Sequence, residues 1–103
     1  MKLFLHGVPD TPSMWEPLIA ELGLSAQEYT APAMPGFTTP APKDFSSTKE
    51  AYVDWYLAEI EKAHGTDGPV DLVGHDWGAI ITVRAASLKP ELVRTWCVAN
   101  ALP

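Results

Sequence analysis

Val70-Asp71-Leu72-Val73-Gly74-His75-Asp76-Trp77-Gly78 runs directly into Ala79-Ile80-Ile81-Thr82-Val83-Arg84-Ala85-Ala86-Ser87-Leu88. A short β-branched apolar run, then Gly-x-Asp-x-Gly, then an apolar run of helix length predict strand, sharp turn and helix. In so tight a turn the central residue, Asp76, takes a strained backbone conformation and its side chain is lifted off the strand end. A Cβ two residues to either side would collide, which is the steric reason for Gly74 and Gly78. The following helix is apolar on almost every face as far as Leu88, so burial on most sides is expected. Its N-terminus favours a negative charge at Asp76 or on an oxyanion beside it. A plainer reading of the same residues makes Asp76 only the N-cap of that helix.

Outward from this stretch, strand and helix alternate. Leu3-Phe4-Leu5 is a short apolar strand ending at the turn-rich His6-Gly7-Val8-Pro9-Asp10. Ser13 with Glu16 reads as a capping box, and Trp15, Leu18, Ile19 and Leu22 recur at helical spacing until Gly23. Gln27 to Thr30 is a weakly signalled strand. Ala31 to Phe45, with Pro32, Pro35, Gly36, Pro40 and Pro42, is a loop rich in breakers. Ser47 with Glu50 makes a second capping box, and Val53, Tyr56, Leu57, Ile60 and Ala63 mark the buried stripe of a helix ending at Gly65. Trp55 falls beside that stripe. Lys89-Pro90 closes the helix after Asp76, and Val93 to Ala99 is a fourth strand.

Four strands with helical crossovers predict one α/β domain over residues 1–103, a doubly wound parallel sheet with three helices shared between its faces. Ligands of such sheets bind at the carboxyl ends of the strands. The His6-Gly7-Val8-Pro9 turn and Asp76 both fall there, so two distant segments converge on one crevice.

Composition narrows the partners. The chain of 103 residues is 47% hydrophobic and 19% charged, with a net charge of −6 and no basic cluster, which disfavours nucleic acid and anionic membrane surfaces. No apolar run approaches the roughly 18 residues of a membrane span, and no secretory pattern opens the chain, so a cytoplasmic protein is expected. The single Cys97, in Thr95-Trp96-Cys97-Val98-Ala99, is expected to be a buried structural thiol. No metal-ligand cluster or cofactor motif is read in the sequence.

His6-Gly7-x-Pro9 after a strand, together with Gly74-His75-Asp76-Trp77-Gly78, resembles the α/β-hydrolase fold family, in particular its epoxide hydrolase and haloalkane dehalogenase branch. The resemblance makes the Asp76 turn a nucleophile elbow and implies that Asp76 is the nucleophile. It also implies an oxyanion hole made by the backbone N–H groups of Val8 and Trp77, with His6, Gly7 and Pro9 as supporting motif residues. A carboxylate needs no deprotonation near neutral pH and suits displacement at a strained or activated alkyl carbon. The implied partner is therefore a small electrophile, an epoxide or an organohalide, attacked to give an alkyl ester that water then hydrolyses. Val8 stands where many haloalkane dehalogenases carry a halide-holding asparagine, which favours epoxides.

Two departures accompany the resemblance. The loop reads Ala33-Met34-Pro35-Gly36-Phe37-Thr38 where the family commonly shows Asp-x-Pro-Gly-x-Gly. The family's catalytic acid, water-activating histidine and cap lie downstream of the fourth strand, and none of His6, His64 and His75 is placed to replace that histidine. The chain thus reads as the N-terminal half of a hydrolase core, with cap and C-terminal half absent and no turnover expected from it alone. An uncovered sheet edge would favour self-association. Two other readings stay open: an α/β-hydrolase of different activity, such as a fluoroacid dehalogenase or esterase, and a non-catalytic flavodoxin-like binding domain.

Overall fold

The computed structural model describes residues 1–37, 40–41 and 43–100. Its elements are β1 (Lys2–Leu5), α1 (Glu16–Leu22), β2 (Tyr29–Thr30), α2 (Lys49–Asp67), β3 (Val70–His75), α3 (Trp77–Leu88) and β4 (Val93–Ala99), with short 3-10 turns at Pro12–Trp15 and Pro90–Leu92. The strands form one sheet in the order β2-β1-β3-β4, and every pairing is parallel. This is the expected architecture of four parallel strands and three helices.

Alternation along the central strands divides the core between the two faces of the sheet. Leu3, Leu5, Val70 and Leu72 pack with Tyr56 and Ile60 of α2 and Ile81 and Ala85 of α3. Phe4 points to the other face and packs with Trp15 and Ile19. The helices therefore lie on both faces, α2 and α3 against one and α1 against the other. Trp55 is half-buried at the flank of α2, stacked on Tyr56.

Several local expectations are corrected. Ser13 does not cap α1; it lies inside a 3-10 turn that begins at Pro12, because proline sets that backbone a turn early. Leu18 and Leu22 are exposed, so only Trp15 and Ile19 of that stripe are buried. Thr48, not Ser47, caps α2, accepting the Ala51 N–H at 3.1 Å, and Ser47 instead takes a left-handed φ of 59°. That helix runs past Gly65 to Asp67 and is closed by Gly68 at φ 79°. On α3, Val83, Arg84, Ser87 and Leu88 are exposed, since only one side of that helix meets the sheet and α2.

Cys97 is exposed rather than buried. β4 is the outer strand, and nothing among the described residues covers Arg94 to Cys97. A groove of about 460 Å³ runs beside it, with Leu18, Leu22 and Trp96 exposed around its rim. The strand is nevertheless anchored. Asp71 of β3 accepts two bonds from Arg94, at 2.9 and 2.6 Å, and one from the Thr95 hydroxyl at 2.6 Å.

Candidate active site

The carboxyl ends of β1 and β3 place two turns side by side. At the end of β3 the chain reverses through Asp76, whose φ of 60° and ψ of −124° lie where a non-glycine side chain is strained. Its N–H donates to the Ala99 carbonyl of β4 at 3.1 Å, and its carbonyl accepts the Ala79 N–H at 3.0 Å as α3 begins. Both neighbours thus hold the strained residue in place.

Glycine is required around it because the backbones nearly touch. A Cβ on Gly74 would sit 2.6 Å from both the Gly78 carbonyl oxygen and the Thr82 hydroxyl. One on Gly78 would strike the carbonyls of Leu5 and His6. One on Gly7 would overlap the Asp76 Cβ and lie 2.7 Å from its Oδ2. Real Cβ atoms do not approach so closely, so all three positions exclude larger residues without a backbone shift.

The Asp76 carboxylate faces the first turn. Val8 N–H donates to Oδ2 at 3.1 Å across 68 residues of sequence. The Val8 N–H first, and then the Trp77 N–H, hold the Asp76 carboxyl below its ordinary value, because both stabilise the ionised form. The turn after β1 and the turn after β3, distant in sequence, thus meet at the Val8–Asp76 hydrogen bond. The Val8–Pro9 peptide is cis.

His6 lies beneath this turn, fully buried. The Met34 N–H donates to its Nε2 at 2.9 Å, so its proton sits on Nδ1, 2.9 Å from the Gly7 carbonyl that accepts it. With both nitrogens engaged, this ring joins the Gly7 turn to the Ala33–Phe37 loop. Phe37 packs edge-on against it at 5.3 Å. The His75 Nε2 lies 2.8 Å from the Asn100 side-chain amide. His64 sits in the last turn of α2, at the opposite end of β3, about 20 Å away by strand rise.

A cavity of about 260 Å³ opens beside Val8 and Trp77 and is lined also by Met34, Phe37, Ser47, Lys49, Tyr52 and Ile81; Asp76 itself is not in its wall. Most of its wall is apolar. Sequence reading named Val8 and Trp77 but missed Met34, Phe37, Tyr52 and Lys49, which the proline-rich loop and the start of α2 bring in. The Tyr52 hydroxyl donates to the Pro35 carbonyl at 2.8 Å and fixes that loop. Thr38 of that loop lies outside the described residues. Asn100, one residue past β4, was also missed; its only sequence signal is its place at the carboxyl end of a strand. Among the described residues no group of three potential metal ligands occurs. No helix among them is long and apolar enough to cross a membrane.

Comparisons with known proteins place the fold. An epoxide hydrolase of Caballeronia sordidicola is 33% identical over 90 residues, covering 86% of this chain and 27% of that protein. The crystal structure of an epoxide hydrolase from Vigna radiata superposes with a TM-score of 0.77 at 35% identity, covering 94% of this chain and 32% of the other. That of a putative ancestral haloalkane dehalogenase superposes with a TM-score of 0.81 at 27% identity, covering 98% and 34%. The chain thus spans about a third of the length of the proteins it matches. The sequence profile described as the alpha/beta hydrolase family matches residues 3–102, which take in both turns and all of the sheet but Lys2. This chain belongs to the alpha/beta hydrolase family.

Proposed function

We propose that the Asp76 site opens epoxides by nucleophilic attack, through an alkyl ester on Asp76 that water hydrolyses. The observation that carries the reading is the Val8 N–H bonded to Oδ2 of a strained, ionised Asp76. With Oδ2 held, Oδ1 is the oxygen that attacks. As its bond to carbon forms, the epoxide carbon–oxygen bond breaks and the alkoxide takes a proton from an acid.

Oδ2 then becomes the ester carbonyl oxygen, already facing the Val8 and Trp77 N–H groups. When hydroxide adds to that carbonyl, the charge develops on Oδ2 where those donors point. Collapse releases the diol and restores the carboxylate. A base must activate the water. His6 has both nitrogens engaged and His75 faces Asn100, so the reading assigns that base, with the catalytic acid and the cap, to the segment that the family carries after the fourth strand.

Displacement of halide is the second reading, favoured by the half-exposed Trp77 beside the nucleophile. Val8 offers no side-chain donor to share a halide with it, which is why the epoxide is preferred. Exposure of the protein to an aryl epoxide and, separately, to a primary alkyl bromide tests the choice by intact mass. Faster ester formation with the epoxide is expected; faster bromide displacement would reverse the order.

A cytoplasmic setting, in which the exposed Cys97 thiol would stay reduced, is part of the same proposal. The uncovered outer edge of β4 supports self-association through that strand. A concentration-independent monomer in sedimentation would remove that last element.

A further inference from the structure

The cavity beside Val8 and Trp77 has one charged wall that the proposed chemistry does not use. Trp77 and Ile81 border it at the elbow, Phe37 and Tyr52 line its middle, and Ser47 and Lys49 close it at the start of α2. Lys49 is exposed, and among the described residues no carboxylate lies within 4.0 Å of its ammonium. The same residue borders a neighbouring groove with Glu50, Asp54 and Arg84, none of which lines the cavity.

Helix stability does not explain a lysine there. A cation in the first turn opposes the positive end of the helix dipole, where acids are preferred. Its position does matter for a ligand. The chain carries a net charge of −6 and the proposed nucleophile is an anion, so an anionic substrate gains from a cation at this wall.

We propose that Lys49 determines specificity, selecting electrophiles that carry a carboxylate separated from the reacting carbon by a short apolar spacer. The spacer lies along Ile81, Phe37 and Tyr52, and the carboxylate pairs with the Lys49 ammonium. This inference rests on the reading of Asp76 as the nucleophile, but it can be tested without the chemistry.

The test uses Asp76→Asn protein, which forms no ester, titrated with phenylbutyrate and with its neutral analogue phenylbutanol and followed by tryptophan fluorescence. The carboxylate should bind about tenfold more tightly than the alcohol, as for a charge-assisted contact. Lys49→Met should abolish that preference, and Lys49→Arg should retain most of it. Because Lys49 opposes the helix dipole, Lys49→Met should fold as well as its parent, which circular dichroism checks. Equal affinities in the parent, a preference that survives Lys49→Met, or no binding of either probe would overturn the proposal. Failure of ester formation in unsubstituted protein would instead count against Asp76 as nucleophile.

Discussion

The Val8 amide reaches Oδ2 of Asp76 at 3.1 Å only because Gly7, one residue earlier, has no side chain. A methyl at Gly7 would overlap the Asp76 Cβ, so the strand-end turn and the elbow can share this space in one way alone. Gly7→Ala should therefore slow ester formation on Asp76 by about a hundredfold, by misplacing the attacking carboxylate, and cost about 1–3 kcal/mol of stability. Adduct kinetics by mass spectrometry and thermal unfolding read the two effects separately. An unchanged adduct rate would sever the link between the turns.

Gly74→Ala should destabilise by about 1–3 kcal/mol through overpacking. Its new Cβ meets both the Thr82 hydroxyl and the Gly78 carbonyl at 2.6 Å. Removing the hydroxyl with Thr82→Ala leaves the backbone carbonyl in place, so the double variant should recover only part of the loss. Full recovery in urea unfolding would show that the backbone approach is not limiting.

The acid limb of stability should report Asp71. Arg94 first, with help from Thr95 and Lys2, lowers its carboxyl from 3.8 to about 2, although partial burial pushes it the other way. A carboxyl whose folded value is depressed stabilises the protein above its unfolded value and loses that contribution as pH falls through the folded one. The loss should therefore run between about pH 4 and pH 2 and amount to roughly 2 kcal/mol at most, since the Arg94 side chain is 64% exposed and screened. Asp71→Asn should lower stability near neutral pH and flatten this limb. A limb unchanged in that variant would assign it to other carboxyls.

Asp76 titrates in the same sense. Its carboxyl is held below 3.8 by the Val8 and Trp77 N–H groups, so it stays ionised as the pH falls past that ordinary value. The rate of ester formation should be flat through the ordinary carboxylate range and fall only below it. A decline centred above 3.8 would contradict the hydrogen-bond geometry.

The cap of α2 separates two readings of one sequence. Thr48→Ala should cost about 1 kcal/mol, whereas Ser47→Ala should change stability little. The reverse order in thermal unfolding would restore Ser47 as the cap.

How far the sequence could be read depends on which interactions are local. The strand, turn and helix around Asp76 were legible because Gly74 and Gly78 report backbone contacts of the turn itself. The cap of α2 was misread by one residue, because Ser46, Ser47 and Thr48 offer the same chemistry and only the left-handed φ of Ser47 tells them apart. Cys97 was misread because an apolar strand looks alike in the middle of a sheet and at its edge; what covers it is decided elsewhere in the fold. The cavity wall was illegible for a related reason. Met34, Phe37 and Lys49 have no shared period, and they meet only because His6 accepts the Met34 N–H and Tyr52 ties down Pro35.

The central claim is that Asp76 is a nucleophile poised by the Val8 amide. Its most direct test is peptide mapping of the protein after incubation with a reactive aryl epoxide, beside an Asp76→Asn control of verified fold. One substrate mass per chain is expected, carried on Asp76 as an ester and absent from the control. No adduct in the folded protein, or an adduct that persists in the Asp76→Asn control, would contradict it.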